Sequence, residues 1–328
     1  MRSNLLRSWI IVAALITPAL ADDSQFAPAP PEKRGEAIVV AGQKVAIGTP
    51  VILWTDPGGY DAYVPKIPSA TETKGEKKAN SPGFGQRRHG LNEAQLAEIK
   101  DTGWTLPLLR ESVDQFVIHY DVCGTSKKCF EVLRERNLSV HFMLDLDGTL
   151  YQTLDLKEAA YHATKANGRS VGIEIANMGA YPTQDLAKSP LHRWYERDAT
   201  GRTQIRLPAS ALIPTRPTGS EPLRPSRDEP VVGTVQGQEL IMYDLTSEQY
   251  AALAKLTEGL CSTFPKIRRD LPRDGQGRVI DHKLDDDVYN RYQGILGHFH
   301  VQLNKTDPGP AFQWDRVLSG LKTSIKSK

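Results

Sequence analysis

The sequence is poor in cysteine, carries almost no net charge, and has no hydrophobic run long enough to span a bilayer. With a formal net charge of +2 over 328 residues, no broad field for nucleic acid is expected. The only long apolar run near the N-terminus, Trp9 to Ile16, is too short and wrongly flanked for a membrane span. Arg2 and Arg7 precede it and Ala19-Leu20-Ala21 follows as an A-x-A cleavage site, so residues 1–21 read as a secretory signal peptide. Cleavage would remove two arginines from 41 basic residues, leaving 39 against 39 acidic ones. No cysteine follows the cleavage site to take a lipid anchor. The expectation is a soluble protein of an oxidising compartment, the bacterial periplasm. The three cysteines, Cys123, Cys129 and Cys261, then suggest one pair and one leftover. Cys123 and Cys129, in "CGTSKKC", are the better pair; a metal site at this spacing lacks the usual ligand separation. No internal repeat is present.

What the chain does contain falls into distinct stretches. A hydrophobic content of 39% suffices for one large domain or two modest ones. Residues 22–112 read as an N-terminal extension: a Pro- and charge-rich leader, then "AIVVAGQKVAIGTPVILW" with two β-rich runs broken by Gly. A polar loop follows at 65–90, whose basic residues Lys74, Lys77, Lys78, Arg87 and Arg88 read as solvated. Asn92 with Gln95 signals a helix start, and "QFVIHY" (115–120) a buried strand. "VHFMLDLDGTLYQT" reads as two strands around an Asp147-Gly148 turn, and "SVGIEIAN" as a further strand. Residues 179–243 hold eight of the 22 prolines and little periodicity, as expected of an insertion of long loops. Thr246 and Gln249 open a helix with Tyr250, Leu253, Thr257 and Leu260 on one face.

The chemistry-bearing residues cluster on or beside predicted strands. Of eight histidines, His89, His192 and His282 lie in polar loops and read as surface residues. His119 ends a buried β run, and His141 and His162 lie beside others. His298 and His300 stand two apart in "GHFHVQLNKTDPGPAFQW". A catalytic zinc needs about three protein ligands and an open position. His119, His298 and Asp307 can supply them from rigid elements, although His300 shares a strand face with His298 and competes. Glu174 sits in an otherwise apolar strand, where a carboxylate is costly without a partner or a task. Lys305 would bring a cation close to Asp307. Metal, carboxylate and cation are the components of metal-assisted amide hydrolysis.

In order along the chain, "FVIHY", "SVHFMLDLDGTLYQ", "AAYHATKANGRSVGIEIAN" and "GHFHVQLNKTDPGPAFQW" resemble the zinc-dependent N-acetylmuramoyl-L-alanine amidases, the family of phage amidase-type lysozymes and peptidoglycan recognition proteins. The resemblance covers roughly residues 113–178 and 246–318. It implies an α/β fold with a central mixed β-sheet flanked by helices and a zinc site at the edge of a substrate groove. It further implies His119, His298 and Asp307 as Zn2+ ligands, and Glu174 and Lys305 as catalytic residues. His162, in the place of an "A-W-H-A-G" motif, and Asn167 would bind substrate. The Cys123–Cys129 spacing is similar to a disulfide near the first zinc ligand of the recognition proteins. The chain departs from the pattern at Val140, where some members carry a catalytic tyrosine, and at Tyr161 and Thr164. The spacing from His298 to Asp307 is also one residue short. The expected domain is then 113–328, acting on peptidoglycan by cleaving the bond between N-acetylmuramic acid and L-alanine. The alternatives are a non-catalytic peptidoglycan-binding module on the same fold, and a periplasmic metal-binding or structural protein.

Overall fold

The computed structural model describes residues 35–64, 83–208, 211, 213–216 and 219–319. The signal peptide and most of the 65–90 loop lie outside these residues. A six-stranded sheet forms the centre. Its strands, in chain order, are β1 (Val51–Leu53), β2 (Gln115–Tyr120), β3 (Phe142–Leu144), β4 (Leu150–Gln152), β5 (Ser170–Ile175) and β6 (Gly294–Gly297). They lie in the order β6-β2-β5-β3-β4-β1. All neighbours are parallel except the β3–β4 hairpin, so the sheet is mixed. That hairpin turns at Asp147-Gly148, where Gly148 has φ 81°, a conformation glycine adopts without a Cβ penalty.

The near-continuous apolar runs in β2 and β5 follow from burial on both faces. Phe116 and Ile118 of β2 enter the largest core cluster with Val171 and Ile173 of β5. The alternate residue Val117 packs with Leu296 and Tyr289 on the opposite face. Two helices packed against the sheet are α1 (Ser126–Glu135) and α2 (Ser247–Thr263). The α2 stripe expected from spacing is buried: Tyr250, Leu253, Thr257 and Leu260 all face the core, joined by Leu256. Thr246 and Gln249 form a reciprocal capping box at its start, as Asn92 and Gln95 do for the Glu93–Thr102 helix. Among the described residues, no helix is long and apolar enough to cross a membrane.

Two parts of the chain are more integrated than their sequence suggested. The N-terminal stretch forms a hairpin, Ala37–Val40 against Gln43–Ala46, and then supplies β1 to the main sheet beside β4. Segment 179–243 folds into small antiparallel pairs, Tyr195–Arg197 with Thr203–Ile205 and Val231–Val235 with Gln238–Met242. These pack an apolar cluster around Leu191, Tyr195, Ile205 and Leu223 that also takes in Leu146 and Ala176 beside the main sheet.

Arg87 is not solvated. It is 1% exposed, and its guanidinium donates to the Leu156 and Ser170 carbonyls at 2.8 and 2.9 Å. Its carbonyl partners come from residues about seventy and eighty positions away, which local polarity does not reveal.

Candidate metal centre

The site forms where the parallel strands end. In an open α/β sheet, the crevice beyond the carboxyl ends of the strands collects side chains from several strands. His119 is the penultimate residue of β2 and lies opposite Glu174 of β5 in the strand register. β6 ends at Gly297, so His298 emerges beside them. Asp307 reaches the same point from the turn that follows.

The three candidate ligand atoms converge. His119 Nδ1 lies 2.8 Å from Asp307 Oδ2 and 2.9 Å from His298 Nδ1, and the third side, His298 Nδ1 to Asp307 Oδ2, is 2.9 Å. All three residues are buried. Burial, then the neighbouring His298, press the His119 pKa down to about 4. Burial works to raise that of Asp307, but the His298 and His119 imidazoles beside it hold it well below the usual carboxylate range. Two imidazoles and a carboxylate form a donor set suited to zinc.

Beside the triad, Glu174 is half-buried, and its buried Oε2 has no hydrogen-bond partner among the described residues. Burial first, then the Asp307 and Asp121 carboxyls, push its pKa well above the ordinary range, with Lys305 pulling the other way. A buried carboxyl oxygen left unsatisfied is costly in a folded protein. Its position beside a ready donor triad fits a metal-assisted site. A cavity of about 290 Å³ opens here, walled by His119, His298, Asp307, Glu174, Lys305 and His162.

His300 is not part of this centre. Its Nδ1 accepts from Gly297 N at 2.9 Å and its Nε2 donates to the Ile280 carbonyl at 2.7 Å, so both ring nitrogens are occupied. Residues 298–301 are a helical turn rather than strand, which sends His298 and His300 to different sides. His162 does line the cavity, but both of its nitrogens are bonded, to His119 and Ser170. Asn167 lies outside the cavity wall. Its Oδ1 accepts from the His162 and Ala163 amides at 3.1 and 2.7 Å, so its role in the structure is to hold the turn that carries His162.

The expected Cys123–Cys129 disulfide is absent; both are free cysteines, as is the half-buried Cys261. The neighbouring sulfur leads both the lowering of the Cys123 pKa and the raising of the Cys129 pKa. Proximity in sequence brought the sulfurs together without forming the bond. The residues that sequence reasoning missed are Ser170, at His162 Nε2, and Gln302, at His298 Nε2. Small or polar side chains acting through a histidine leave no spacing signal.

The mixed α/β sheet with helices packed against it, and the two-histidine, one-aspartate cluster at its strand ends, agree with the fold and the candidate site expected from the sequence. Residues 109–205 match the model of the family described as N-acetylmuramoyl-L-alanine amidase. No curated protein matches the chain. Among solved structures, a selenomethionine derivative of AmpD is 16% identical, with a TM-score of 0.33, covering 73% of this chain and 90% of its own. The N-acetylmuramyl-L-alanine amidase AmiD from E. coli, in complex with anhydro-N-acetylmuramic acid-L-Ala-D-gamma-Glu-L-Lys, is 15% identical with a TM-score of 0.36. It is covered over 56% of its length and covers 63% of this chain. LysC from Clostridium intestinale URNW is 15% identical with a TM-score of 0.33, over 64% of this chain and 86% of its own.

Proposed function

We propose that the protein is a zinc-dependent N-acetylmuramoyl-L-alanine amidase that cleaves the amide between N-acetylmuramic acid and L-alanine. The observation that carries this reading is the buried His119–His298–Asp307 triad with the unpartnered Glu174 carboxyl beside it. The family match over residues 109–205 supports the substrate class. The leader-like residues 1–21 would deliver the chain to the periplasm, where peptidoglycan lies.

His119, His298 and Asp307 would hold the metal, which when bound supplies Lewis-acid polarisation and a more acidic water. The remaining chemistry belongs to the side chains. Glu174, ionised, takes a proton from the water that attacks the lactyl carbonyl and returns it to the departing L-alanine amine. Lys305 sets positive charge against the oxygen that becomes negative in the transition state.

The test is to incubate purified protein with cell-wall sacculi, with added zinc and with a chelator. New L-alanine amino termini are expected with zinc and not with chelator. Binding to sacculi without new termini would overturn the reading in favour of a non-catalytic binding module.

A further inference from the structure

His162 stands next to the triad without belonging to it. Its Nδ1 lies 2.9 Å from His119 Nε2, the nitrogen of His119 that faces away from Asp307. Its Nε2 lies 3.1 Å from Ser170 Oγ, and Ser170 Oγ lies 2.8 Å from the Ala166 carbonyl oxygen.

These contacts have a direction. A hydroxyl oxygen 2.8 Å from a carbonyl oxygen needs a proton between them, and only the hydroxyl has one. Ser170 therefore donates to Ala166. It can then only accept from His162, which must carry its proton on Nε2. Neutral His162 is left with a lone pair on Nδ1, where it accepts from His119 Nε2–H. Neutral His119 then has its own lone pair on Nδ1, pointing at His298 and Asp307. A single carbonyl thus sets the protonation pattern of two imidazoles in series. A similar arrangement holds the other histidine: His298 Nε2 lies 2.6 Å from Gln302 Oε1, a pure acceptor, so its Nδ1 is also left free.

The ring is also held in place sterically. It lies over Gly172 of β5, where a Cβ would come within 2.5 Å of the imidazole. Asn167 fixes the backbone amides at its base. A metal-ligating histidine commonly gives its other N–H to a carboxylate, carbonyl or water, and loss of such a partner costs about 10–100-fold in metal affinity. Here another imidazole fills that role.

We propose that His162 is a positioning residue of the metal centre. In this role it is the middle of a one-way hydrogen-bond chain, Ala166 carbonyl to Ser170 to His162 to His119, that presents the His119 Nδ1 lone pair to the ion. The inference rests on the reading of His119 as a ligand and replaces substrate contact as the task of His162. The resemblance that suggested substrate contact says nothing of Ser170, which is buried in β5.

The test has two arms on the full chain. In the first, histidine-labelled, metal-free protein is read by long-range proton–nitrogen NMR. His119 and His162 are both expected to be protonated at Nε2 and bare at Nδ1. In the second, zinc affinity is measured by competition with a chromophoric chelator. His162→Phe, which keeps a flat ring but no acceptor, is expected to bind zinc about 10–100-fold more weakly. His162→Asn, whose carboxamide oxygen can stand near the Nδ1 position, is expected to recover most of that loss. His162 protonated at Nδ1 in a parent that binds zinc would overturn the proposal, as would His162→Phe binding zinc like the parent. A parent that takes up no zinc would overturn the ligand reading, and this proposal with it. Failure of the sacculus assay alone leaves both arms readable.

Discussion

His300 offers a sharp prediction because its protonation state is set by two backbone groups. Gly297 N–H points at Nδ1 and the Ile280 carbonyl takes Nε2–H, with the side chain fully buried. A second proton would have to go onto Nδ1, against the Gly297 amide. Burial accordingly lowers the pKa to about 3. The unfolded chain takes up this proton below about 6.5, and the folded one does not until far lower. Stability from this group is therefore constant above about pH 6.5 and is lost as pH falls from there toward about 3. Each pH unit in that window is worth about 1.4 kcal/mol, so acidification from about pH 7.5 to about pH 5 should remove about 2 kcal/mol through His300 alone. The perturbation is His300→Asn, whose oxygen can still accept from Gly297 but which does not titrate. The assay is urea unfolding of parent and variant at both pH values, with chelator present so that metal release does not contribute. The variant should be less stable at neutral pH by about 1–3 kcal/mol for the lost Ile280 partner and altered packing. It should nevertheless lose about 2 kcal/mol less than the parent on acidification. Equal losses in the two proteins would refute the reasoning.

Other expectations follow from the site and the core. Metal analysis should find one zinc per chain in the parent and in His300→Asn, and none in His298→Ala or Asp307→Ala; zinc lost only from the His300 variant would reverse the ligand assignment. Glu174→Gln should retain zinc while turnover on sacculi falls about 10²–10⁴-fold, the usual contribution of a general base. Lys305→Ala should also retain zinc and be slow, because stabilising developing charge acts mainly in the transition state. Asp114 and Arg169 form a buried pair with contacts of 2.7 and 2.5 Å, so Asp114→Ala should cost about 3–5 kcal/mol in an unfolding titration. Thiol labelling of unreduced, unfolded protein should modify Cys123, Cys129 and Cys261 alike.

Local chemistry made much of the fold legible. The Thr246–Gln249 and Asn92–Gln95 boxes, the Asp147-Gly148 turn and the α2 stripe are short-range patterns, and each appears where its residues imply. Glu174 could be singled out because a carboxylate in an apolar strand is expensive wherever that strand lies. What stayed hidden depends on distant partners. The basic run of 65–90 looked uniformly solvated, yet Arg87 finds carbonyls from two other segments and is buried. His298 and His300 looked equivalent while the segment read as a strand; the helical turn separates them. The task of His162 depends on Ser170 and Ala166, whose relation to it is set by the turn before β5.

The edge strand β1 has a consequence for how the molecule can be divided. β4 is hydrogen-bonded on one side by β3 and on the other by Val51–Leu53. Just before that strand, Ile38 and Val40 are fully buried in the same core as α2. The family match begins at residue 109 and ends at 205, so it omits this strand, and it also omits His298 and Asp307. Cutting the chain at those limits would strip a hydrogen-bonded neighbour from Leu150–Gln152 and leave an open, apolar strand edge that invites pairing with other chains. The segment recognised by homology is thus a part of the folding unit and cannot serve as a module by itself. The residues on either side of it supply both edge strands of the sheet, together with His298 and Asp307 of the candidate metal centre.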